Sequence, residues 1–419
     1  MFIILLLVVN LKIGHERVFN FGSCDNINNS CYCSGRDFFV INSQGGHSTT
    51  TTSTSSSFST SSQASSSQTT ASSQISASII AGGSTFVNPL MQVWIKDFQS
   101  NYNGIQVTYS AVGSGAGVNN FLQGAYDIGA TDVPPPSNLY QQLTQKYGEV
   151  LTIPDVVGAV DIIYNIPSFS GTLNLTADVL AKIYLGQIQY WDDPAIKALN
   201  PHFNFTHQKI IAVHRSDGSG TTFIFTYWLY TSSQSWRSSN VSYGYTVNWP
   251  VDKLGNGLAG KGNDGVTAYV YQNPYSIGYV EAQYAIAKNL TPAAVLNPST
   301  GDYVLPTQAS IETAIQNANL SSLPSSLTRD LSQYLSVFLN VKAHNAYPIV
   351  TFSWLVIKVN YTDKSKAEAI YLFLKYIVTT GQTELPSGYI ELPSNIQQLI
   401  LQNLKLISYN NTSVYTLVS

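Results

Sequence analysis

The sequence predicts an α/β fold in about two domains, because strand and helix patterns alternate over about 340 residues, more than one core comfortably holds. Alternation of this kind favours largely parallel sheets flanked by helices. Charged residues make up only 10% of the chain, where about 25% is typical, so neutral polar residues must cover much of the surface. The net charge of −3 provides no strong field to attract nucleic acid or anionic lipid.

The first part of the chain lacks this alternation. Residues 1–47 contain an apolar run, Phe2–Val9, too short to span a bilayer as a helix, and they are interpreted as a signal or anchor segment. Residues 48–78 are almost entirely Ser, Thr, Gln and Ala. Such a composition cannot bury a core and predicts a disordered stalk, with a neutral linker as the alternative.

Cysteines and sequons bear on where the protein works. All three cysteines precede Gly45, so the predicted globular part has none, which is compatible with an extracellular protein. Asn-x-Ser/Thr sequons, which favour an exported glycoprotein, lie at Asn28, Asn174, Asn204, Asn240, Asn289, Asn319, Asn360, Asn410 and Asn411. We therefore expect an extracellular or cell-surface protein, tethered to the membrane through its N-terminal segment.

The elements after the stalk follow from periodicity. Two helix faces show apolar residues three to four positions apart: Leu90, Trp94, Ile95 and Phe98 after Pro89, and Val118, Phe121, Leu122 and Ala125. A third helix follows Thr221, with Phe223, Tyr227 and Trp228 on one side. Strands are predicted at 105–111, 127–130, 156–164, 209–214, 276–280 and 349–359.

Three loops rich in glycine and hydroxyl residues precede helical patterns. They are Gly82-Gly-Ser-Thr-Phe86, Gly113-Ser-Gly-Ala-Gly117 and Arg215-Ser-Asp-Gly-Ser-Gly-Thr-Thr-Phe223. A helix N-terminus offers free N–H groups and a partial positive charge, and glycine lets a ligand approach them closely. One such loop alone is more simply a helix cap. Three loops, the last led by an arginine, predict a site for a small anion.

Two carboxylates shape this expected site. Asp217 follows Arg215 closely enough to pair with it and to orient its guanidinium toward an oxyanion. Asp132 follows a predicted strand, and a carboxylate beside an anion is repulsive unless the ligand carries a proton. A protonated phosphate can donate a hydrogen bond to Asp132 whereas sulfate cannot, so Asp132 should select against sulfate.

The motifs of several enzyme classes are absent from the sequence. Ser219 lies in Asp-Gly-Ser-Gly-Thr rather than Gly-x-Ser-x-Gly, with no evident His–Asp pair to activate it. The histidines lack metal-ligand spacing, and neither a dinucleotide fingerprint nor a Gly-Lys-Ser/Thr loop occurs. We expect no catalytic residue, no metal and no cofactor.

Several separated segments resemble one family, the phosphate-binding proteins that serve phosphate ABC transporters. Besides the three loops, the similar segments are Asp127-Ile-Gly-Ala-Thr-Asp132, Tyr184–Pro194, Gly260-Lys-Gly-Asn-Asp-Gly265 and Ile277-Gly-Tyr-Val-Glu281. The resemblance covers roughly Ala81 to Ser408. It implies that phosphate contacts Thr85, Phe86, Ser114, Asp132, Arg215, Ser219, Gly220 and Thr221. Asp217 would orient Arg215, and His214 and Gly115 are mild departures from the family pattern.

The resemblance also implies a two-lobed periplasmic-binding-protein fold (type II), each lobe a mainly parallel sheet flanked by helices. Lobe I would comprise residues 79–165 and 347–419, lobe II residues 166–346, with hinge crossings near Asn165 and Tyr347. Such a protein would be a monomer that captures inorganic phosphate and delivers it to permease subunits, with no nucleic-acid partner.

Three other functions stay open at this level. A related receptor could bind sulfate or molybdate, although Asp132 argues against this. A secreted phosphatase or esterase could use Ser219. A surface adhesion protein could keep the fold without taking part in transport.

Overall fold

The computed structural model describes residues 75–418. The predicted N-terminal segment, 1–47, and nearly all of the predicted stalk lie outside the described residues. The last stalk residues, Ala77 and Ser78, instead begin the first strand, because they pair with Ile105 and Gln106. The globular part therefore starts slightly earlier than the composition suggested.

The described chain alternates between strands and helices. The strands are β1 Ala77–Gly83, β2 Ile105–Ala111, β3 Ile128–Thr131, β4 Val150–Asn165, β5 Asn174–Leu175, β6 Ile211–Arg215, β7 Gly257–Gly260, β8 Ser276–Glu281, β9 Ala294–Leu296, β10 Tyr303–Val304, β11 Val350–Lys358, β12 Asn360–Tyr361, β13 Ser408–Tyr409 and β14 Thr412–Ser413. The helices are α1 Asn88–Asn101, α2 Ser114–Gln123, α3 Ser137–Tyr147, α4 Ala177–Tyr184, α5 Pro194–Leu199, α6 Gly220–Ser232, α7 Gln234–Ser238, α8 Gly262–Gln272, α9 Ala282–Ala287, α10 Gln308–Asn317, α11 Lys364–Val378, α12 Ser394–Leu404 and α13 Tyr415–Val418.

An eight-stranded sheet, in the order β2-β1-β3-β11-β4-β8-β6-β7, carries the fold. β1 is parallel to β2 and β3, and β6 is parallel to β7 and β8. In the middle, β11 is antiparallel to β3 and β4, and β4 is antiparallel to β8. The predicted α/β fold is confirmed, with two mainly parallel groups joined through antiparallel central strands.

The long strand β4 connects the two halves of this sheet. It pairs with β11 from Val150 to Ala159 and with β8 from Val160 to Asn165. Every β4 residue except Asn165 is buried, as expected for a central strand covered on both faces. The change of partner at Val160 lies before the crossing expected near Asn165. The lobe boundaries themselves stay a prediction.

Most predicted helices agree with the structure, with two corrections. Leu90, Trp94, Ile95 and Phe98 are buried on α1, as their spacing predicted. Ala125 is not on the α2 face, because α2 ends at Gln123 and the next residue, Gly124, has a left-handed φ of 85° that terminates the helix. α6 is buried on nearly all sides rather than on one. Within residues 75–418, the helices are too short or too polar to cross a membrane.

Candidate functional site

The predicted loops meet at the carboxyl ends of parallel strands. β1 leads to Ser84 and Thr85, β3 to Asp132, and β6 to the loop that follows Arg215. β1 and β3 run in one direction, whereas β6 runs in the opposite direction in the other half of the sheet. The carboxyl ends of the two groups, where α/β proteins bind ligands, therefore face each other between the halves. Ser114 begins α2 and Gly220 begins α6 at these ends, so two helix N-termini lie between the halves.

Close packing between the halves brings the loops into contact. Gly115 N donates to the carbonyl oxygen of Gly218 at 3.0 Å. A Cβ atom at Gly220 would collide with Asp132 Oδ2 and Ser114 Oγ, so a side chain at this position would push the halves apart. The structure therefore brings the three predicted loops together, and their binding of an anion stays a prediction.

Arg215 and Asp217 form the expected ion pair. Arg215 Nε lies 2.8 Å from Asp217 Oδ1, and Nη2 lies 2.5 Å from Oδ2. Burial opposes ionisation of Asp217, but the hydrogen bonds and charge of Arg215 hold the pKa of its carboxyl below the usual range. Gly262 N also donates to Asp217 Oδ1 at 3.0 Å. The guanidinium is therefore fixed, with Nη1 3.5 Å from Thr221 Oγ1.

Asp132 lies at the centre of the site and is almost fully buried, with 1% of its surface exposed. Burial raises its pKa to about 6, against the opposing effects of the Ser84 hydrogen bond and the Arg215 charge. Ser114 Oγ donates to Asp132 Oδ2 at 3.2 Å. A carboxylate of this kind accepts a proton-bearing oxyanion more readily than a fully ionised one.

Thr85 and Phe86 lie beside this centre. Thr85 Oγ1 accepts hydrogen bonds from Asn263 N at 3.2 Å and from Asn263 Nδ2 at 3.1 Å. Tyr284 Oη donates to the Thr85 carbonyl at 2.6 Å. The Phe86 amide donates to Ser84 Oγ at 2.9 Å, so it already has one partner. Asn263 also reaches Thr221 Oγ1 at 3.4 Å, which links Thr85 to the Arg215 side of the site.

Ser219, one of the predicted site residues, is a helix cap. Its Oγ accepts a hydrogen bond from Thr222 N at 3.0 Å and so caps α6. Its own N–H donates to the carbonyl of Tyr245 at 2.8 Å. The Tyr245 hydroxyl lies 3.1 Å from Thr131 Oγ1 in the other half of the sheet. The neighbouring His214 contacts Asp252 at 2.8 Å rather than the site.

Sequence reasoning assigned no role to Ser84, Asn263 or Tyr245. Ser84 and Asn263 do lie within segments that carry the family resemblance, so their segments were noticed but their contacts were not. Tyr245 has no recognisable motif around it. Within residues 75–418, no group of His, Cys, Asp and Glu side chains is arranged to hold a metal ion.

Three further buried carboxyls lie near Val160, where the pairing of β4 changes from β11 to β8. Asp155 and Asp161 are on β4 and Glu281 ends β8, and each is at most 2% exposed. Burial raises the pKa of Asp155 to about 8, and the negative charge of Asp132 adds to the effect. Burial also raises the pKa of Asp161 and Glu281 well above their usual range. These carboxyls are therefore most compatible with the fold when protonated.

We predict that the protein becomes less stable as pH rises through the neutral range. Between the ordinary Asp pKa of 3.8 and about 8, the folded chain holds a proton on Asp155 that the unfolded chain releases. This proton alone should lower the free energy of unfolding by up to about 1.4 kcal/mol per pH unit in this window. Asp155→Asn, neutral at every pH, should reduce this slope in urea unfolding curves.

The control for this experiment is Glu149→Gln, which changes an exposed carboxyl. It should leave the slope of unfolding free energy against pH as it is in the natural protein. A slope that is the same in Asp155→Asn and in the natural protein would contradict the prediction.

Comparison with known proteins gives consistent matches. A family model described as a PBP superfamily domain matches residues 64–380. The phosphate-binding protein PstS of Methanocaldococcus jannaschii is 41% identical over 334 residues, covering 78% of this chain and 85% of the relative. The PstS phosphate-binding protein of Xylella fastidiosa (strain 9a5c) is 33% identical over 328 residues, covering 78% and 84%.

A solved structure supports the fold. A phosphate ABC transporter substrate-binding protein from Clostridium perfringens, with bound phosphate, aligns with a TM-score of 0.53 and 18% sequence identity. The alignment covers 75% of this chain and 100% of the clostridial chain. At this identity the similarity concerns the fold.

Proposed function

The chain belongs to the family of phosphate-binding proteins of phosphate ABC transporters, and from this premise we propose that it captures inorganic phosphate and delivers it to a membrane permease. The family consists of transport receptors rather than enzymes, so Ser219 has no catalytic role. The observation that carries the proposal is that an oriented cation, Arg215, and a buried carboxylate, Asp132, lie close enough for the charge of Arg215 to act on the Asp132 carboxyl.

These two groups suit an anion that still carries a proton. Arg215, held by Asp217, supplies charge-assisted hydrogen bonds to two oxygens of a tetrahedral anion. Asp132 accepts the hydrogen bond of a phosphate hydroxyl, which sulfate does not have. Because the site is buried, each of these interactions is stronger than it would be in water.

The other predicted residues supply neutral donors. The hydrogen-bond donors around the anion are completed by the amides at the start of α6, including Gly220, and by the hydroxyls of Thr85, Ser114, Ser219 and Thr221. The Phe86 amide would have to exchange its hydrogen bond with Ser84 Oγ for one with phosphate. The helix N-termini add partial positive charge without a further cation.

The two halves of the sheet are proposed to act as lobes that close on phosphate. Lobe I takes residues 79–165 and 347–419, and lobe II takes residues 166–346. Val160, where β4 changes its pairing from β11 to β8, donates its N–H to the carbonyl oxygen of Ile349 at 2.9 Å, so segments near the two proposed crossings are hydrogen-bonded to each other. Contacts between the halves, such as Thr85 with Asn263 and Thr131 with Tyr245, belong to the closed arrangement.

We predict that phosphate makes the protein more compact. A ligand that contacts both lobes favours the closed state through contacts that the open state lacks. Small-angle X-ray scattering should give a smaller radius of gyration with phosphate than without it. Sulfate at equal ionic strength is the control and should have little effect. Identical scattering curves with and without phosphate would count against closure.

Calorimetric titration of the full chain tests the proposed function directly. Phosphate should bind with a stoichiometry of one, and sulfate should bind far more weakly under the same conditions. Arsenate, which has the same shape and also carries a proton at neutral pH, should bind as well. Heat from sulfate but not from phosphate would instead favour the alternative receptor function.

We also propose that the protein acts outside the cell. Of the sequons in the described residues, all except the half-buried Asn174 are exposed, which leaves their asparagines accessible to glycosylation. The tether assigned to residues 1–47 lies outside the described residues and stays a prediction. The permease partner follows from the family, whose members serve ABC transporters.

A further inference from the structure

Ser84 makes a set of hydrogen bonds that determines the direction of its hydroxyl proton. It lies between β1 and α1 and is completely buried. Its Oγ accepts from Phe86 N at 2.9 Å and from Val87 N at 3.3 Å, and it also contacts Asp132 Oδ1. A hydroxyl has two acceptor sites and one proton. Because two amides occupy the acceptor sites, the proton must point to Asp132.

This donation makes the two oxygens of Asp132 unequal. Oδ1 receives a permanent hydrogen bond from Ser84. Oδ2 faces Ser114 Oγ and the start of α6 at Gly220, where the proposed ligand contacts converge. A proton carried by the ligand can therefore be accepted at Oδ2. A hydrogen bond donated to the charged form also stabilises that form relative to the protonated one.

We propose that Ser84 is a positioning residue that keeps Asp132 ionised and presents Oδ2 to the ligand, and so maintains the preference for a proton-bearing oxyanion as the pH falls to neutral. The proposal rests on the proposed function, because it concerns how the same site selects its anion. Ser84 acts through Asp132. Loss of the Ser84 hydroxyl should therefore change the ratio of sulfate to phosphate affinity, and the pH dependence of that ratio, more than it changes the affinity for phosphate.

Of the other charged and titratable groups around Asp132, some favour its ionised form and others oppose it. Arg215 favours the ionised carboxylate, as does the hydroxyl of Ser114. The groups whose negative charge would oppose it come from several elements of both halves: Asp155, Glu281, Tyr109, Tyr245 and Tyr389. Because Arg215 is already committed to Asp217, the Ser84 hydroxyl is a substantial part of what keeps Asp132 charged.

The test is the ratio of sulfate to phosphate affinity from pH 5 to pH 8 in Ser84→Ala and the natural protein. The hydrogen bond from Ser84 favours the charged carboxylate, so without it the pH at which Asp132 gains its proton should rise by about one pH unit or more. Starting from a pKa of about 6, this makes the protonated fraction at pH 7 about fivefold larger. Sulfate affinity at pH 7 should rise by the same factor.

Thr351→Val is the matched control. The Thr351 hydroxyl is buried and donates to the backbone carbonyl of Asp132 at 3.2 Å rather than to its carboxylate. Its removal should leave the pH profile of the affinity ratio unchanged. Ser84→Thr keeps a hydroxyl at the same position and should retain the natural profile.

The outcomes separate this inference from the proposed function. If the natural protein does not bind phosphate, the proposed function fails first. If it binds phosphate and Ser84→Ala has the natural pH profile, the role of Ser84 is wrong. Should the alanine variant fail to fold by circular dichroism, Ser84→Cys replaces it, because a thiol is a weak donor of similar size. An unchanged ratio in that variant also overturns the inference.

Discussion

Arg215→Ala should weaken phosphate binding at least tenfold and as much as about 100-fold, because charge-assisted hydrogen bonds contribute about 1.5–3 kcal/mol. Arg215 is the only cation among the predicted site residues, and the net charge of −3 gives no attraction for an anion from the rest of the chain. The Arg215 side chain is 1% exposed and forms an ion pair with Asp217, so its removal also leaves the Asp217 carboxylate without this cationic partner. Isothermal titration calorimetry at one salt concentration measures the effect.

Two further variants sharpen this experiment. Arg215→Lys keeps the positive charge but loses the planar fork, so it should recover only part of the affinity. Arg237→Ala removes an exposed arginine on α7 that donates to backbone carbonyls, and it should bind phosphate as the natural protein does. If Arg215→Ala binds phosphate with unchanged affinity, Arg215 does not belong to the site.

The loops of the site were predictable because their signals are local. Glycine and hydroxyl residues between a strand and a helix indicate a helix N-terminus in any context. The Arg215–Asp217 pair also spans only two positions. In contrast, Thr85 and Asn263 are 178 residues apart, and only the packing of the two halves brings them together. Contacts of this kind have no signature in the periodicity of a single sequence.

For the fold, the sequence likewise predicted local features, the strands and helices, but not the contacts between elements that are distant in sequence. Apolar alternation identified the strands, but periodicity does not reveal which strands are neighbours. The run from Val156 to Tyr164 predicted one buried strand. In the structure this strand, β4, already begins at Val150, and at Val160 its pairing changes from β11 to β8. Both features depend on β11 and β8, which are distant from β4 in sequence. Asp155 and Asp161 also interrupt the apolar pattern, although both side chains are buried. A carboxyl that takes up a proton becomes neutral and can be buried without being apolar.

Asp132→Asn should raise sulfate affinity about 100-fold and change phosphate affinity by less than about tenfold. A carboxylate facing a fully ionised anion costs several kcal/mol when no proton lies between them. The structure also predicts the orientation of the asparagine amide in this variant. Because the Ser84 proton points to Oδ1, the amide oxygen should occupy that position and the amide NH2 should replace Oδ2. The new donor would then face the anion.

Competition calorimetry with phosphate and sulfate, on both proteins in the same buffer, gives the affinity ratio. Asp97→Asn removes a partly exposed carboxylate on α1 and controls for the change in net charge, so its ratio should equal that of the natural protein. For phosphate, the variant loses the hydrogen bond from the ligand hydroxyl to Asp132 and gains one from the amide, so the two changes largely offset each other. If the sulfate-to-phosphate ratio of Asp132→Asn stays at the natural value, Asp132 does not select the ligand, and its burial beside Arg215 serves the packing of the two halves instead.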